Sequence, residues 1–222
     1  MELTATDPTR LEAMRHAMVA SQLRPNAVTD TRVIAAMARL PREAFLPAEL
    51  QNIAYRDTSL PLGHGRFQNV PIATGRMLSE ANLEASDHVL LVGAAGGYTA
   101  AILAELVAKV VAVEVDQKLA AQARDALAGY SNVTVIEGPL EAGHETGAPY
   151  DVLFVDGAVE QVPDALVAQV AAGGRIVAGV ADRGVTRLSS GRKTDGGFGL
   201  LAFADIECVP LPGFARPKTF TF

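Results

Sequence analysis

The chain has 222 residues, of which 49% are hydrophobic and 20% are charged. These proportions are typical of a globular protein with one sizeable core. Asp and Glu number 25 against 19 Lys and Arg, which gives a net charge of -6. This acidic balance argues against binding to nucleic acid or to an anionic membrane by charge alone. The single cysteine, Cys208, excludes an internal disulfide and a metal site built from cysteines.

No stretch of the sequence predicts a membrane-spanning helix or a secretory signal. The apolar run at residues 107–113 is interrupted by Lys109 and is far shorter than the roughly 20 residues that a membrane helix needs. The first eight residues lack a basic segment followed by an apolar one. We therefore expect a cytoplasmic protein without a membrane partner. The four histidines have no spacing typical of metal ligands, so no metal site is expected.

Residues 1–85 are predicted to form a helical extension. Apolar residues at positions 14–23 have the spacing of an amphipathic helix, which Pro25 ends. A second helix is predicted to begin after the Thr29-Asp30 pair, either of which is a suitable N-cap, and to stop before Pro41.

From residue 86 onward, apolar β-branched runs alternate with alanine-rich helical segments. Runs that are apolar on both faces and separated by helices are typical of a parallel sheet covered on both sides. We therefore predict a Rossmann-like α/β unit over residues 86–222, which forms one compact body with the helical extension. Its predicted strands lie at residues 88–92, 110–114, 133–136, 152–155 and 175–178, and its predicted helices at 98–106, 117–128 and 163–171.

The C-terminal part of the sequence predicts a hairpin followed by a tail. A glycine-rich turn at residues 191–199 separates β-like runs at 185–188 and 198–203, and such a hairpin would close one edge of the sheet. The tail at residues 211–222 carries aromatic side chains that are predicted to be exposed. We expect this tail to dock on its own domain.

The carboxyl ends of the predicted strands locate the candidate ligand site, because open parallel sheets bind ligands there. The first strand is followed by Gly93-Ala94-Ala95-Gly96-Gly97-Tyr98, whose small residues allow a ligand to come close to the backbone. Glu114 ends the second strand 21 positions after Gly93, near the spacing of an acidic residue that binds a ribose diol. Together these features indicate an adenosine-containing ligand. The alternative is a glycine turn that serves helix–sheet packing, with a solvated glutamate.

Two adenosine-containing cofactors fit this pattern unequally. A dinucleotide fingerprint has a third glycine where Tyr98 stands, so a nicotinamide-dependent oxidoreductase is the weaker hypothesis. The Gly-Tyr end of the loop suits S-adenosylmethionine better, because its carboxylate needs less space than a pyrophosphate. We expect Gly93, Ala95, Gly97 and Tyr98 to hold the methionine part of that cofactor and Glu114 to hold its ribose.

Short blocks in both halves of the chain carry a family resemblance. The N-terminal blocks are Ser21-Gln22-Leu23-Arg24, Leu40-Pro41-Arg42-Glu43-Ala44-Phe45-Leu46-Pro47, Ala54-Tyr55-Arg56-Asp57 and Leu60-Pro61-Leu62-Gly63, and the C-terminal ones are Gly97-Tyr98, Val113-Glu114, Tyr150-Asp151 and Gly173-Gly174-Arg175. Over nearly its whole length, the chain resembles the protein-L-isoaspartate O-methyltransferases. The resemblance implies a mostly parallel seven-stranded S-adenosylmethionine-dependent methyltransferase fold. It also implies methyl transfer to isoaspartyl carboxylates, which starts the repair of damaged proteins.

The cofactor side departs from that family at three positions. Leu91 and Pro139 stand where the family has acidic residues, and Ala95 stands where it has glycine. Each lost acceptor would cost about 1–3 kcal/mol of cofactor binding if its partner were left unpaired. Gly138 and Pro139 are expected to flank the adenine, where the backbone near Gly138 can supply an acceptor instead.

The acceptor side departs as well. Asn69 and Val70 replace the family's serine and glutamine, and Phe67 adds bulk where it has threonine. Asp156 follows the fourth predicted strand, where its carboxylate would repel an acceptor carboxylate unless Arg66 pairs with it. We expect Arg66, Asn69 and Asp156 to face the methyl acceptor.

Three functions follow from these patterns. The first is an S-adenosylmethionine-dependent methyltransferase that acts on a carboxylate of a damaged protein or peptide, or on a small-molecule acceptor. Such a reaction needs alignment rather than acid–base groups, because the sulfonium is already activated and a carboxylate is already a nucleophile. The second is a non-catalytic binding or assembly module with the same fold, which predicts a pocket filled by side chains. The third is the nicotinamide-dependent oxidoreductase.

Overall fold

The computed structural model describes residues 7–216. Its strands, in chain order, are β1 (Leu60–Gly63), β2 (Arg66–Gln68), β3 (His88–Val92), β4 (Lys109–Glu114), β5 (Val133–Glu137), β6 (Tyr150–Val159), β7 (Val170–Asp182), β8 (Val185–Thr194) and β9 (Gly197–Ala204). Seven of them form one sheet with the order β5-β4-β3-β6-β7-β8-β9. The neighbours from β5 to β7 are parallel, and β8 and β9 are added antiparallel. The predicted Rossmann-like, mostly parallel seven-stranded fold is confirmed.

The helices lie on both faces of this sheet or in the N-terminal extension. The α-helices within the described range are α1 (Pro8–Met18), α2 (Thr31–Arg39), α3 (Pro71–Glu80), α4 (Tyr98–Ala104), α5 (Gln117–Ala126) and α6 (Asp164–Ala168). Asp30 caps α2, since its side chain accepts a hydrogen bond from the Arg32 N–H at 2.8 Å. Asp116 caps α5 in the same way, with the Leu119 N–H at 2.9 Å.

The N-terminal helices and the sheet share one hydrophobic core. Leu11 of α1, Met37 of α2 and Leu78 of α3 belong to the same buried cluster as Leu91 of β3. A second cluster, on the other face of the sheet, contains Leu90 and α6 residues. Both faces of β3 are therefore covered, as its uninterrupted apolar run predicts. The division of the chain at residue 85 stays a prediction.

The strand order places a crevice between β3 and β6. The chain runs outward from β3 to β4 and β5, and then returns to the other side of β3 to form β6. Ligands of doubly wound sheets bind beyond the carboxyl ends of the strands at such a reversal. The crevice is bounded by the loop after β3 and by Asp156 and Gly157 within β6.

Three details of the C-terminal half differ from the prediction. Helix α6 ends at Ala168 rather than near residue 171, because Val170 already begins β7 and pairs with Tyr150. The turn predicted at residues 191–199 is only two residues long, since the strands of the hairpin extend to Thr194 and from Gly197.

The tail also differs from its predicted exposure. Leu211 and Phe214 are 7% and 3% exposed, so the prediction of exposed aromatic residues is wrong for this part of the tail. The expected docking of the tail on its own domain is confirmed for these residues. Lys218, Phe220 and Phe222 lie outside the described residues, as do residues 1–6.

Within residues 7–216, no helix is both long and apolar enough to cross a membrane. The same residues contain no group of three or more His, Cys, Asp or Glu side chains that could hold a metal ion.

Candidate functional site

The loop between β3 and α4 has the sharply turned backbone that small residues allow. Gly93 and Gly97 have φ angles of 88° and 99°, in the left-handed region that glycine adopts without steric cost. Ala95 also lies in this region, with φ of 48°. All residues from 93 to 98 are buried.

Glu114 lies at the carboxyl end of β4 and is completely buried. Its carboxylate accepts two hydrogen bonds from Arg66, from Nε at 3.0 Å and from Nη2 at 2.9 Å. Three backbone N–H groups donate to the same carboxylate, those of Ala95 at 2.6 Å, Val115 at 3.0 Å and Asp116 at 3.1 Å. Paired arginine–carboxylate bonds of this geometry are among the strong polar contacts in proteins. Glu114, which is predicted to bind the ribose, therefore lies beside the glycine loop, but donors of the protein itself already occupy its carboxylate oxygens.

Arg66 lies in β2 and is 2% exposed. The pairing of Arg66 with Asp156, which the sequence left open, is not the one that the structure shows: the guanidinium is paired with Glu114. Its Nη1 atom has no hydrogen-bond partner among residues 7–216. A buried guanidinium nitrogen without a partner is costly, which makes this placement a feature that needs explanation.

Leu211 covers the crevice from the side of the tail. A Cβ atom built on Gly93 would lie 3.1 Å from Leu211 Cδ2 and 3.4 Å from Arg66 Nη2. A Cβ atom on Gly157 would lie 2.5 Å from Leu211 Cγ. The tail is held there by backbone hydrogen bonds, from Ala158 N–H to the Val209 carbonyl at 2.7 Å and from Leu211 N–H to the Ala158 carbonyl at 2.9 Å. The space above the two glycines is thus filled by the chain's own side chains.

Asp156 and Asn69 form a second buried cluster beside this crevice. The Asp156 carboxylate accepts from Asn69 Nδ2 at 2.7 Å and from Thr99 Oγ1 at 2.5 Å. Asn69 Oδ1 in turn accepts from the Val209 N–H at 2.8 Å and from Cys208 Sγ at 3.2 Å. Burial raises the pKa of Asp156, against the opposing effect of these hydrogen bonds. Burial also raises the pKa of the Cys208 thiol, which disfavours the reactive thiolate.

Two neighbouring residues complete the arrangement. Arg42 is completely buried; its Nε donates to the Ala54 carbonyl at 2.8 Å and its Nη2 to the Asn69 carbonyl at 2.5 Å. Burial lowers its pKa. Tyr98, which is predicted to hold the cofactor, packs between the Arg42 guanidinium, 5.1 Å from its ring, and the Phe45 ring at 5.6 Å. Arg42 lies in one of the blocks of the family resemblance, but nothing in the local sequence indicates that it reaches Asn69.

The expected adenine side is more open than the rest. Gly138 follows β5, donates its N–H to the Glu114 carbonyl at 3.0 Å, and has no atom within 4 Å of a Cβ built on it. Pro139 is exposed and precedes a short 3-10 turn, Leu140–Ala142. The predicted cofactor residues thus surround one crevice, with its outer edge accessible and its centre closed.

A cavity of about 350 Å³ lies on the acceptor side. Phe67, Asn69 and Val70 line one wall, and Cys208 and Pro210 line another. Two carboxylate residues, Asp57 and Glu207, also contribute to its lining. Of the three predicted acceptor-side residues, only Asn69 lines this cavity, because Arg66 and Asp156 are turned toward the crevice.

The fold is that of the S-adenosylmethionine-dependent methyltransferases. It superposes with a TM-score of 0.79 on a solved protein-L-isoaspartate O-methyltransferase, at 23% identity, over 90% of this chain and 66% of that one. A second solved structure, a Plasmodium falciparum protein of the same description in complex with S-adenosyl-L-homocysteine, gives a TM-score of 0.75 at 17% identity and covers 90% and 96% of the two chains. At these identities the likeness concerns the fold alone.

Comparison of sequences identifies the family. The model of the protein-L-isoaspartate(D-aspartate) O-methyltransferase family matches residues 14–213. The protein-L-isoaspartate O-methyltransferase of Methanoculleus marisnigri is 38% identical over 209 residues, or 93% of this chain and 94% of that protein. Protein-L-isoaspartate O-methyltransferase 1 of Rhodopseudomonas palustris is 39% identical over 93% of this chain and 86% of its own length. This chain therefore belongs to the protein-L-isoaspartate O-methyltransferase family and is a methyltransferase of that kind.

The crevice contains residue types that suit S-adenosylmethionine, and two side chains of the chain itself also lie in it. The positive φ angles of Gly93 and Gly97 and the position of Glu114 suit the cofactor. In the described conformation, Leu211 packs over Gly93 and Gly157, and Arg66 donates to both oxygens of the carboxylate that is expected to hold the ribose.

Proposed function

We propose that this chain methylates the side-chain carboxylate of isoaspartyl residues in damaged proteins and peptides, with S-adenosylmethionine as the methyl donor. The observation that carries the proposal is the length of the family match, residues 14–213. That range contains the acceptor-side hairpin as well as the glycine loop and Glu114. We place the reaction in the cytoplasm, because its methyl donor is made and used inside cells.

The side chains around the crevice suit an alignment reaction. S-adenosylmethionine, when bound, supplies an already activated methyl group. A carboxylate is nucleophilic at neutral pH, so the protein has to orient it and exclude water rather than to remove a proton. The cavity beside Asn69 has the size to admit a peptide side chain, and Phe67 and Val70 give it a partly apolar wall.

The protonation state of Asp156 affects how strongly the site repels an acceptor carboxylate. A second carboxylate near the acceptor would repel it. Burial raises the pKa of Asp156, which favours the neutral acid, and its two side-chain hydrogen bonds hold it in place. Asp156 therefore repels an acceptor carboxylate beside Asn69 less than the sequence alone suggests, and the other carboxylates near that position are those of Asp57 and Glu207 in the cavity lining.

The test compares an isoaspartyl peptide with the same peptide carrying normal aspartate. Each is incubated with the protein and S-adenosylmethionine, and the methyl ester and S-adenosylhomocysteine are measured by mass spectrometry. We expect ester only from the isoaspartyl peptide. The Val70→Asp variant, which adds a negative charge to the cavity wall, should reduce the rate at least tenfold. The Val185→Asp variant, at an exposed position of β8, is the matched control and should not change it.

Equal methylation of the two peptides would contradict the proposed acceptor. Absence of methylation by protein that has been shown to bind the donor would contradict the proposed reaction.

A further inference from the structure

We propose that Arg66 and Leu211 close the methyl-donor site from within, so that Arg66 competes with the cofactor's ribose for Glu114. The inference rests on the proposed function for the identity of the donor. It concerns a feature that the family match does not supply, because Arg66 lies in the acceptor-side segment whose sequence departs from the family.

The first argument is the hydrogen-bonding capacity of Glu114. An ionised carboxylate offers about four acceptor positions on two oxygens. Arg66 and three backbone N–H groups already supply five hydrogen bonds to those oxygens. A ribose diol can bind this carboxylate only where a present donor leaves. The backbone donors are fixed by the fold, whereas Arg66 is a side chain with rotatable bonds.

The second argument is the burial of the glycine loop. Residues 93–98 are all buried, although loops of this kind serve a ligand by being accessible. A Cβ atom built on Gly93 would lie 3.1 Å from Leu211 and 3.4 Å from Arg66, whereas Gly96 faces the Phe45 carbonyl and Gly97 faces Leu127. Leu211 and Arg66 therefore cover the beginning of the loop, next to Glu114.

The third argument is that Arg66 belongs to a small element at the edge of the fold. It opens β2, which pairs only with β1 in a separate two-stranded sheet. The turn between these strands has three consecutive positive φ angles, at Gly63 (91°), His64 (53°) and Gly65 (72°). Leu60 and Leu62 of β1 anchor the hairpin in the hydrophobic core. The movement that we infer is therefore a rotation of the Arg66 side chain about its own bonds, which requires no change in the seven-stranded sheet.

The fourth argument is the unpaired Nη1 atom of Arg66. Among residues 7–216 this buried nitrogen has no hydrogen-bond acceptor. The closed state thus leaves one donor of this side chain unsatisfied, as is also true of Arg42 Nη1. Loss of the Arg66–Glu114 contact would therefore not break a fully satisfied guanidinium network.

The experiment is calorimetric titration with S-adenosylhomocysteine of the native chain and of three variants. Arg66→Met removes the competing charge and keeps the apolar stem. Leu211→Ala opens space but leaves the ion pair intact, so it tests the same idea if Arg66→Met folds poorly. Arg175→Gln is the matched control, since Arg175 is an arginine of a partly buried ion pair with Asp87 at the opposite end of the sheet. Thermal melting of each variant verifies that it is folded.

We expect Arg66→Met to bind S-adenosylhomocysteine at least tenfold more tightly than the native chain, and Leu211→Ala at least threefold more tightly. Arg175→Gln should bind like the native chain. If neither Arg66→Met nor Leu211→Ala binds S-adenosylhomocysteine more tightly than the native chain does, the proposed closure is overturned, while the donor assignment is left intact. No binding by any of the four folded proteins would overturn the closure and the donor assignment together, and would favour the non-catalytic module.

Discussion

The Glu114→Ala substitution removes the acceptor of five hydrogen bonds from a completely buried position. It leaves the Arg66 guanidinium, whose side chain is 3% exposed, without its counter-charge. Breaking a buried ion pair by removal of one partner typically costs about 3–5 kcal/mol. Water that enters the vacated volume can accept hydrogen bonds from some of the three freed backbone N–H groups. We therefore expect a loss of about 4 kcal/mol in the free energy of unfolding.

For a chain of this size, each kcal/mol corresponds to a shift of about 2–4 °C in Tm. Glu114→Ala should therefore lower Tm by about 10 °C, measured by circular dichroism, with urea unfolding as the second measurement. The matched control is Asp205→Ala, since Asp205 pairs with Arg187 at the surface, where the two side chains are 80% and 46% exposed. Exposed pairs contribute about 0–1 kcal/mol, so this variant should lose no more than that.

A double substitution separates the ion pair from the packing around it. Replacing both partners of a buried ion pair by apolar residues is often neutral or stabilising, and Arg66→Met with Glu114→Leu leaves neither partner as an unpaired charge. We expect this double variant to be more stable than Glu114→Ala. The reasoning is refuted if Glu114→Ala costs less than about 1 kcal/mol, because Arg66 would then reach water at little cost and the closed site would be weakly held.

Two further predictions concern Asp156 and the glycine loop. Burial raises the pKa of Asp156, so the folded protein binds more protons than the unfolded chain, and this contribution to stability is lost as the pH rises through the folded pKa. The free energy of unfolding of Asp156→Asn relative to that of the native chain, measured by urea titration, should therefore increase as the pH rises from about 4 to 7. A difference in this free energy that is the same at all pH values would contradict the raised pKa of Asp156. Gly96→Ala places a Cβ atom 2.7 Å from the Phe45 carbonyl oxygen, which should cost about 1–3 kcal/mol, whereas Gly129→Ala meets no atom within 4 Å and should cost less. Similar midpoints of unfolding for these two variants would show that the loop has room to shift.

The sheet could be predicted from the sequence because its strands are short apolar runs that end in glycine or acidic residues. His88–Val92 and Lys109–Glu114 are of this kind, and their positions agree with the predicted strands to within a residue. The predicted end of the helix after Pro163 was less accurate. Val170 can continue an apolar helical face or begin a strand, and only the pairing with Tyr150 decides between them.

The location of the site could be predicted, but its contacts could not. Glu114 and the glycine loop are close in the fold because parallel strands end at the same edge of a sheet. The partner of Glu114 could not be predicted in this way. Arg66 lies 48 residues earlier in the chain, and the direction of its side chain depends on a hairpin turn rather than on a periodic sequence pattern. Likewise, nothing in the sequence around Leu211 indicates which glycine it covers.

The order of the chain gives the closed crevice a consequence during synthesis. The segments that form the crevice, from the β1–β2 hairpin to β6, are complete by residue 159, whereas Leu211 is made 52 residues later. Domains generally fold as units, and β7, β8 and β9 of the same sheet are also made after residue 159. The crevice cannot acquire its native cover until the tail has been made, because Leu211 is part of that cover. A chain that ends before Leu211 would leave Gly93 and Gly157 without the side chain that packs against both of them.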